Sequence, residues 1–120
     1  MHDRWTLPYI TAADALAAHR EGRHHLDLRR APARRRSDRW VADTRWIDPE
    51  TLDHSHPLTR SEDPLSIFCV AGHEVSHFAC ALLMMHGRDV RLVIGGFDAL
   101  AVAGAALVAL DLDGGDGDRT

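Results

Sequence analysis

The amino-acid sequence predicts a single α/β domain in three layers, a mostly parallel sheet with helices on both faces. Three observations carry that prediction. Strand patterns at 25–28, 65–68 and 90–94 alternate with helical patterns at 11–22, 75–87 and 97–110. Strands alternating with helices in this way build parallel sheets covered on both sides. The chain has 120 residues, 45% of them hydrophobic and 27% charged, which suits one globular domain burying roughly two thirds of its unfolded surface.

Taken in order, Leu7-Pro8-Tyr9-Ile10 reads as a short edge strand. Thr11 then opens a helix as its cap, with Asp14 three residues on as the acidic partner. Ala15, Leu16 and Ala18 continue that helix, His19 and Arg20 complement its last turn, and Gly22 stops it. His25-Leu26-Asp27-Leu28 alternates polar and apolar residues as a half-buried strand does. Arg29, Arg30, Arg34, Arg35, Arg36 and Arg39 follow in one basic stretch. It reads as a solvated loop with a short helix, or as a field that attracts anionic substrates.

Val41, Thr44 and Trp46 mark one further short strand, and Asp48-Pro49-Glu50 a turn or short helix. His54 to Asp63 is a polar connection. Leu65 to Phe68 is a buried strand, and Val90 to Ile94 another, which ends in Gly95-Gly96, a pair free to adopt positive φ. Phe97 to Leu110 reads as a last helix loosened at Gly104. Residues 1–110 thus form the domain, and the acidic, glycine-rich 111–120 reads as a disordered tail.

A net charge of −4 gives no reason to expect nucleic acid as a partner. The N-terminus lacks the apolar core of a signal peptide. Val93 to Leu110 approaches the length of a membrane span, but Asp98 and glycines 95, 96 and 104 interrupt it, so no membrane partner is expected. The two cysteines, Cys69 and Cys80, lie in one strand–helix unit and do not resemble a secreted disulfide framework, which points to the cytoplasm.

The chemistry concentrates at the end of the 65–68 strand. Cys69 follows it directly, a turn containing Gly72 comes next, and a helix begins near Val75. Val75, Phe78, Ala79, Leu82 and Met85, at spacings of three and four, are expected to share its core face. A sulfur before a helix N-terminus faces unsatisfied backbone N–H groups and the positive end of the dipole, which favours a thiolate nucleophile. Cys80, among Ala79, Ala81 and Leu82, reads instead as a core thiol. Ligand sites in such sheets lie at strand carboxyl ends, where Asp27–Arg29, Cys69 and Gly95-Gly96 would converge.

Two other patterns compete. His73-Glu74-Val75-Ser76-His77 spells His-Glu-x-x-His, which on a helix can bind zinc with Glu as general base. Here Gly72 places His73 in a turn, no third ligand is evident, and the chain is short for such a hydrolase. His54 and His56 form a His-x-His pair without further ligands, which reads as a solvated loop.

The order of these features resembles the rhodanese-like (sulfurtransferase) domain over Tyr9 to Leu110. The residues that carry the resemblance are Leu26-Asp27-Leu28-Arg29, the strand-end Cys69 with Gly72 and His73, and Gly95-Gly96-Phe97. Cys69-Val70-Ala71-Gly72-His73-Glu74-Val75-Ser76 and Trp46-Ile47-Asp48-Pro49-Glu50 are also similar to single-domain members associated with chromate resistance. The resemblance implies a sulfurtransferase in which Cys69 carries sulfane sulfur as a persulfide. The donor would be thiosulfate or a small-molecule or protein-bound persulfide, and the acceptor a thiol or cyanide. It further implies no metal or organic cofactor, Val70, Ala71, Gly72, His73, Glu74 and Val75 as the substrate-binding loop, and Asp27, Arg29, Gly95 and Gly96 as supports. A non-catalytic interaction or redox-sensing module is the other reading of the same fold.

The sequence departs from the family pattern at three places. Thiosulfate-active members place a basic residue where Glu74 stands. A carboxylate there opposes a dianion by about 1 to 4 kcal/mol at surface-like dielectric, which suits a neutral or thiol-linked donor better. Ser76 falls one position late, as in longer loops suited to phosphate or arsenate, but Val75 stands where those carry arginine. Leu100 replaces an aromatic residue expected after the glycine pair.

Overall fold

The computed structural model describes residues 7–70 and 74–109. Three strands carry its centre: β2 (His24–Asp27), β5 (Leu65–Phe68) and β6 (Val90–Val93). Because side chains alternate along a strand, the parallel register lines Leu26, Ile67 and Leu92 up on one face. Asp27 and Phe68 line up on the other. β1 (Tyr9–Ile10) adds beyond β6 and β4 (Thr44–Trp46) beyond β2, giving the order β1-β6-β5-β2-β4 with every pair parallel.

Each face has its own core. α1 (Ala12–Arg20) and α4 (Gly96–Val102) cover one, where Ala12, Ala15, Phe97 and Leu100 meet Phe68 and Val93. α3 (Glu74–Met85) covers the other, with Ala79, Cys80 and Leu83 against Leu26, Ile67 and Leu92. Short 3-10 turns at Pro49–Thr51 and Pro57–Arg60 close that second face by burying Leu52 and Leu58. This is the three-layer α/β domain that the alternation of elements predicts. The Thr11 cap forms as expected, its hydroxyl accepting the Asp14 N–H at 3.1 Å. Among the described residues no helix is long and apolar enough to cross a membrane.

Four expectations change. The apolar stretch 97–110 is not one helix: α4 ends at Val102, and Leu107–Ala109 form β7, antiparallel to β3 (Arg39–Val41). The turn between them runs through Gly104 at φ +105°, and a short apolar run cannot by periodicity alone declare itself helix or strand. For the same reason the 40–46 stretch holds two strands, β3 and β4, in different sheets, with Asp43 at φ +59° between them.

The buried face of α3 is also rotated from the predicted one. Ala79 and Leu82 are buried as expected, and Ser76, Cys80 and Leu83 are buried with them, whereas Phe78 is 62% and Met85 75% exposed. The small residues at 76, 79 and 80 lie on that buried face. Finally, the basic stretch is not uniformly solvated. α2 (Ala31–Ser37) buries Arg34 with its guanidinium 4.8 Å from the Trp40 ring and 4.6 Å from the Trp46 ring, a stack worth about 2 kcal/mol or more when desolvated. Leu110 and the 111–120 segment lie outside the described residues.

Candidate functional site

The carboxyl ends of β2, β5 and β6 place three loops side by side, and Cys69 is the first residue past β5. Its side chain is buried, and Sγ lies 3.2 Å from the hydroxyl Oγ of Ser76, itself fully buried in the first turn of α3. Sequence reasoning weighed Ser76 only as a sign of loop length. The available signal was its position on the inward face of the helix that begins beside the sulfur.

The backbone around Cys69 is fixed by the neighbouring loop. The Phe97 N–H donates to the Cys69 carbonyl at 2.7 Å, and the Asp98 N–H to the Val70 carbonyl at 3.3 Å. α4 can present those N–H groups because Gly95 and Gly96 take φ +80° and +62°. A Cβ on Gly95 would fall 2.7 Å from Cβ of Ala99, so any other residue there would push α4 away from β5. This gives the glycine pair a concrete task.

The third loop is braced by a buried ion pair. Arg29 donates through Nε to both Asp27 carboxylate oxygens at 3.1 Å and through Nη2 to Oδ2 at 2.9 Å, and its own N–H meets Oδ1 at 2.9 Å. Burial pushes the Asp27 carboxyl up, while the guanidinium, through hydrogen bonds and charge, pulls it back. With that many donors on one carboxylate we describe the pair as ionised. Nη2 also donates to the Arg39 carbonyl at 2.9 Å, and the Trp46 indole N–H donates to the Arg29 carbonyl at 2.7 Å. The guanidinium lies 4.1 Å from the centre of the Phe97 ring. Asp27, Arg29, Phe97 and Cys69 are therefore one continuous set of contacts, Gly95-Gly96 included.

Of the predicted loop, Val70 is exposed and Val75 packs partly against the core under α3. Ala71, Gly72 and His73 lie outside the described residues, and Glu74 is the first residue of α3, one earlier than expected. His77, the second imidazole of the His-Glu-x-x-His string, hydrogen-bonds the Tyr9 hydroxyl on edge strand β1 at 3.1 Å. Among the described residues no group of three or more His, Cys, Asp or Glu is placed to hold a metal ion. Cys80 is fully buried with Sγ 3.9 Å from the Met84 sulfur, and burial raises its thiol to about 11.

Layer order, sheet topology and the strand-end cysteine together define a rhodanese-like α/β fold. Solved structures bear this out. The chain superposes on thiosulfate sulfurtransferase from Pseudomonas aeruginosa with a TM-score of 0.70 at 18% identity, over 87% of this chain and 20% of that one. A rhodanese-related protein from Thermoplasma volcanium gives 0.63 at 20% identity, over 84% and 97%. A rhodanese homologue from Thermus thermophilus gives 0.60 at 20%, over 78% and 100%. The chain thus spans about a fifth of the Pseudomonas protein, as the 20% coverage states, and nearly all or all of the other two. No family model and no curated protein matches the sequence.

Proposed function

We propose that the protein is a sulfurtransferase and that Cys69 is its nucleophile and sulfur carrier. The observation that carries this reading is the Ser76 hydroxyl 3.2 Å from Cys69 Sγ, at the junction of a strand end and a helix N-terminus. A thiolate holds no proton, so in that state the hydroxyl must donate, and a hydrogen bond to a charged acceptor is among the stronger kinds. The backbone N–H groups of the loop opening α3 would add to the cradle for a charged sulfur.

The reaction is two displacements. The Cys69 thiolate attacks the outer sulfur of the donor, the donor's S–S bond breaks, and its inner sulfur leaves with the electron pair. An acceptor thiolate or cyanide then attacks the outer sulfur of the Cys69 persulfide and frees the thiolate again. No net oxidation occurs, and one difficult transfer becomes two easier ones. Glu74 disfavours a dianionic donor, so a thiol persulfide, free or protein-bound, is preferred over thiosulfate. Cys69 and Cys80 form no disulfide with each other, in keeping with a reducing, cytosolic setting. The likeness of 69–76 and 46–50 to chromate-associated members belongs to the same proposal and names no separate chemistry.

Intact mass after incubation with thiosulfate, or with a thiol persulfide, tests the proposal. Wild type is expected to gain one sulfur, more readily from the persulfide, and Cys69→Ser none, with turnover abolished. No gain from either donor would leave a non-catalytic rhodanese-fold module as the function.

A further inference from the structure

The outward face of α3 is apolar from Phe78 to the end of the helix. Between Val75 and Met85 the only ionisable side chains are His77 and Cys80. Cys80 is buried in the core, and His77 holds the Tyr9 hydroxyl. What faces outward is Phe78, Ala81, Met84 and Met85, where a surface helix ordinarily carries charged and polar residues.

The order of side-chain sizes along the helix selects the occupant of this face. Ala81 stands in the middle, with Phe78 three residues before it and Met84 and Met85 three and four after. At 1.5 Å per residue, Phe78 lies about 4.5 Å to one side of Ala81 and the methionines about 4.5 and 6 Å to the other. A two-fold axis through Ala81, perpendicular to the helix, carries one set of positions onto the other. In an antiparallel pair of α3 helices the two alanines meet and let the backbones approach. Phe78 of each copy then falls on Met84 and Met85 of the other, a favourable contact of thioether with aromatic ring. Residues 75–85 hold no carboxylate, guanidinium or ammonium. Two copies therefore meet without like charges, whereas a charged partner finds nothing to pair with.

We propose that the chain forms an isologous dimer through the outer face of α3, with the two-fold axis at Ala81. Phe78, Met84 and Met85 are 62%, 40% and 75% exposed, which at about 200 Å² for a large side chain gives about 350 Å² a copy. About 700 Å² for the pair lies below the roughly 1,200 Å² at which stable interfaces begin. The dimer is therefore reversible and depends on concentration. Ser76, Ala79 and Leu83 are on the buried side of the helix, so pairing leaves the contact between Ser76 and Cys69 in place.

Sedimentation equilibrium of the full chain from about 10 μM to about 1 mM, a range that covers weak association, tests this. Wild type should pass from monomer to dimer and stop there. Ala81→Glu sets two carboxylates against each other on the axis, and Phe78→Ser removes the ring. Each should associate at least about tenfold more weakly, with circular dichroism like that of wild type. Both positions are exposed; should one variant unfold, the other decides. Val102, 90% exposed at the end of α4, lies outside the seam, so Val102→Glu should dimerise as wild type does. A wild type that stays monomeric, growth beyond a dimer, a dimer that survives Ala81→Glu or Phe78→Ser, or one lost in Val102→Glu would each overturn the assignment.

Discussion

The two cysteines lie on one strand–helix unit, eleven positions apart, and the fold treats them in opposite ways. Cys69 leaves a strand at its carboxyl end, with a hydroxyl on its sulfur and its carbonyl held by the next loop. Cys80 sits two turns further along α3 in the apolar core beneath the sheet, with a thioether as its sulfur's neighbour. Both are buried by area, so exposure alone does not separate them. What differs is the polarity of the surroundings: one sulfur can accept stabilisation of negative charge, the other cannot.

The largest effect that would break this comparison is on stability at high pH. Burial raises Cys80 from 9.0 to about 11. Below pH 9 folded and unfolded chains both hold the proton, so this contribution to stability is complete. Above pH 9 the unfolded chain releases the proton and the folded chain does not, so stability falls until pH 11. Two pH units correspond to about 3 kcal/mol. Cys80→Ala should lack this component of the alkaline limb in denaturant melts taken across pH 8–11. An identical limb in wild type and variant would mean that the Cys80 thiol ionises as freely inside as outside. Cys80→Ser, which puts a hydroxyl into the same core, should cost about 1–3 kcal/mol of stability and leave sulfur transfer intact.

On the polar side, Ser76→Ala removes the hydroxyl and leaves the core-facing position filled. A hydrogen bond to a charged group contributes about 1.5–3 kcal/mol, so formation of the Cys69 persulfide should slow by roughly tenfold or more. Stopped-flow measurement of the first half-reaction reads this directly. A rate unchanged from wild type, with the fold retained, would show that the 3.2 Å contact is packing without consequence for the sulfur.

Much of this arrangement was legible in the chain because it depends on local rules. The Leu65–Phe68 strand, the Thr11 cap, Cys69 at a strand end and the glycine pair all follow from patterns within a few residues. What escaped depends on contacts distant in sequence. β7 is a strand because Leu107 and Val108 find Val41 and Trp40 as partners. Arg34 is buried because two indoles from separate strands enclose it. His86 meets His54 because α3 ends beside the β4–β5 connection. The rotation of α3 is the most instructive case, because apolar spacing gave Phe78 and Met85 to the core. The fold buries Ser76 and Leu83 instead, with Ala79, Cys80 and Leu82 inside as expected, and that rotation is what brings the Ser76 hydroxyl to the sulfur.

The smallest expected effect concerns Glu74, where two electrostatic demands conflict. As the first residue of α3, a carboxylate is favoured by the helix dipole by about 0.3–1 kcal/mol. Under the proposed function the same charge, five positions after the nucleophile, would oppose a dianionic donor. Glu74→Arg reverses both terms at once. Thiosulfate turnover should rise several-fold, an increase that shrinks as salt screens the exposed charge, while the thermal midpoint drops by a few degrees or less. Transfer from an uncharged persulfide donor should change little, because no net charge meets the new arginine. A thiosulfate rate that stays flat or falls in this variant would remove charge from the list of causes and leave the geometry around Cys69 and Ser76 as the determinant of donor choice.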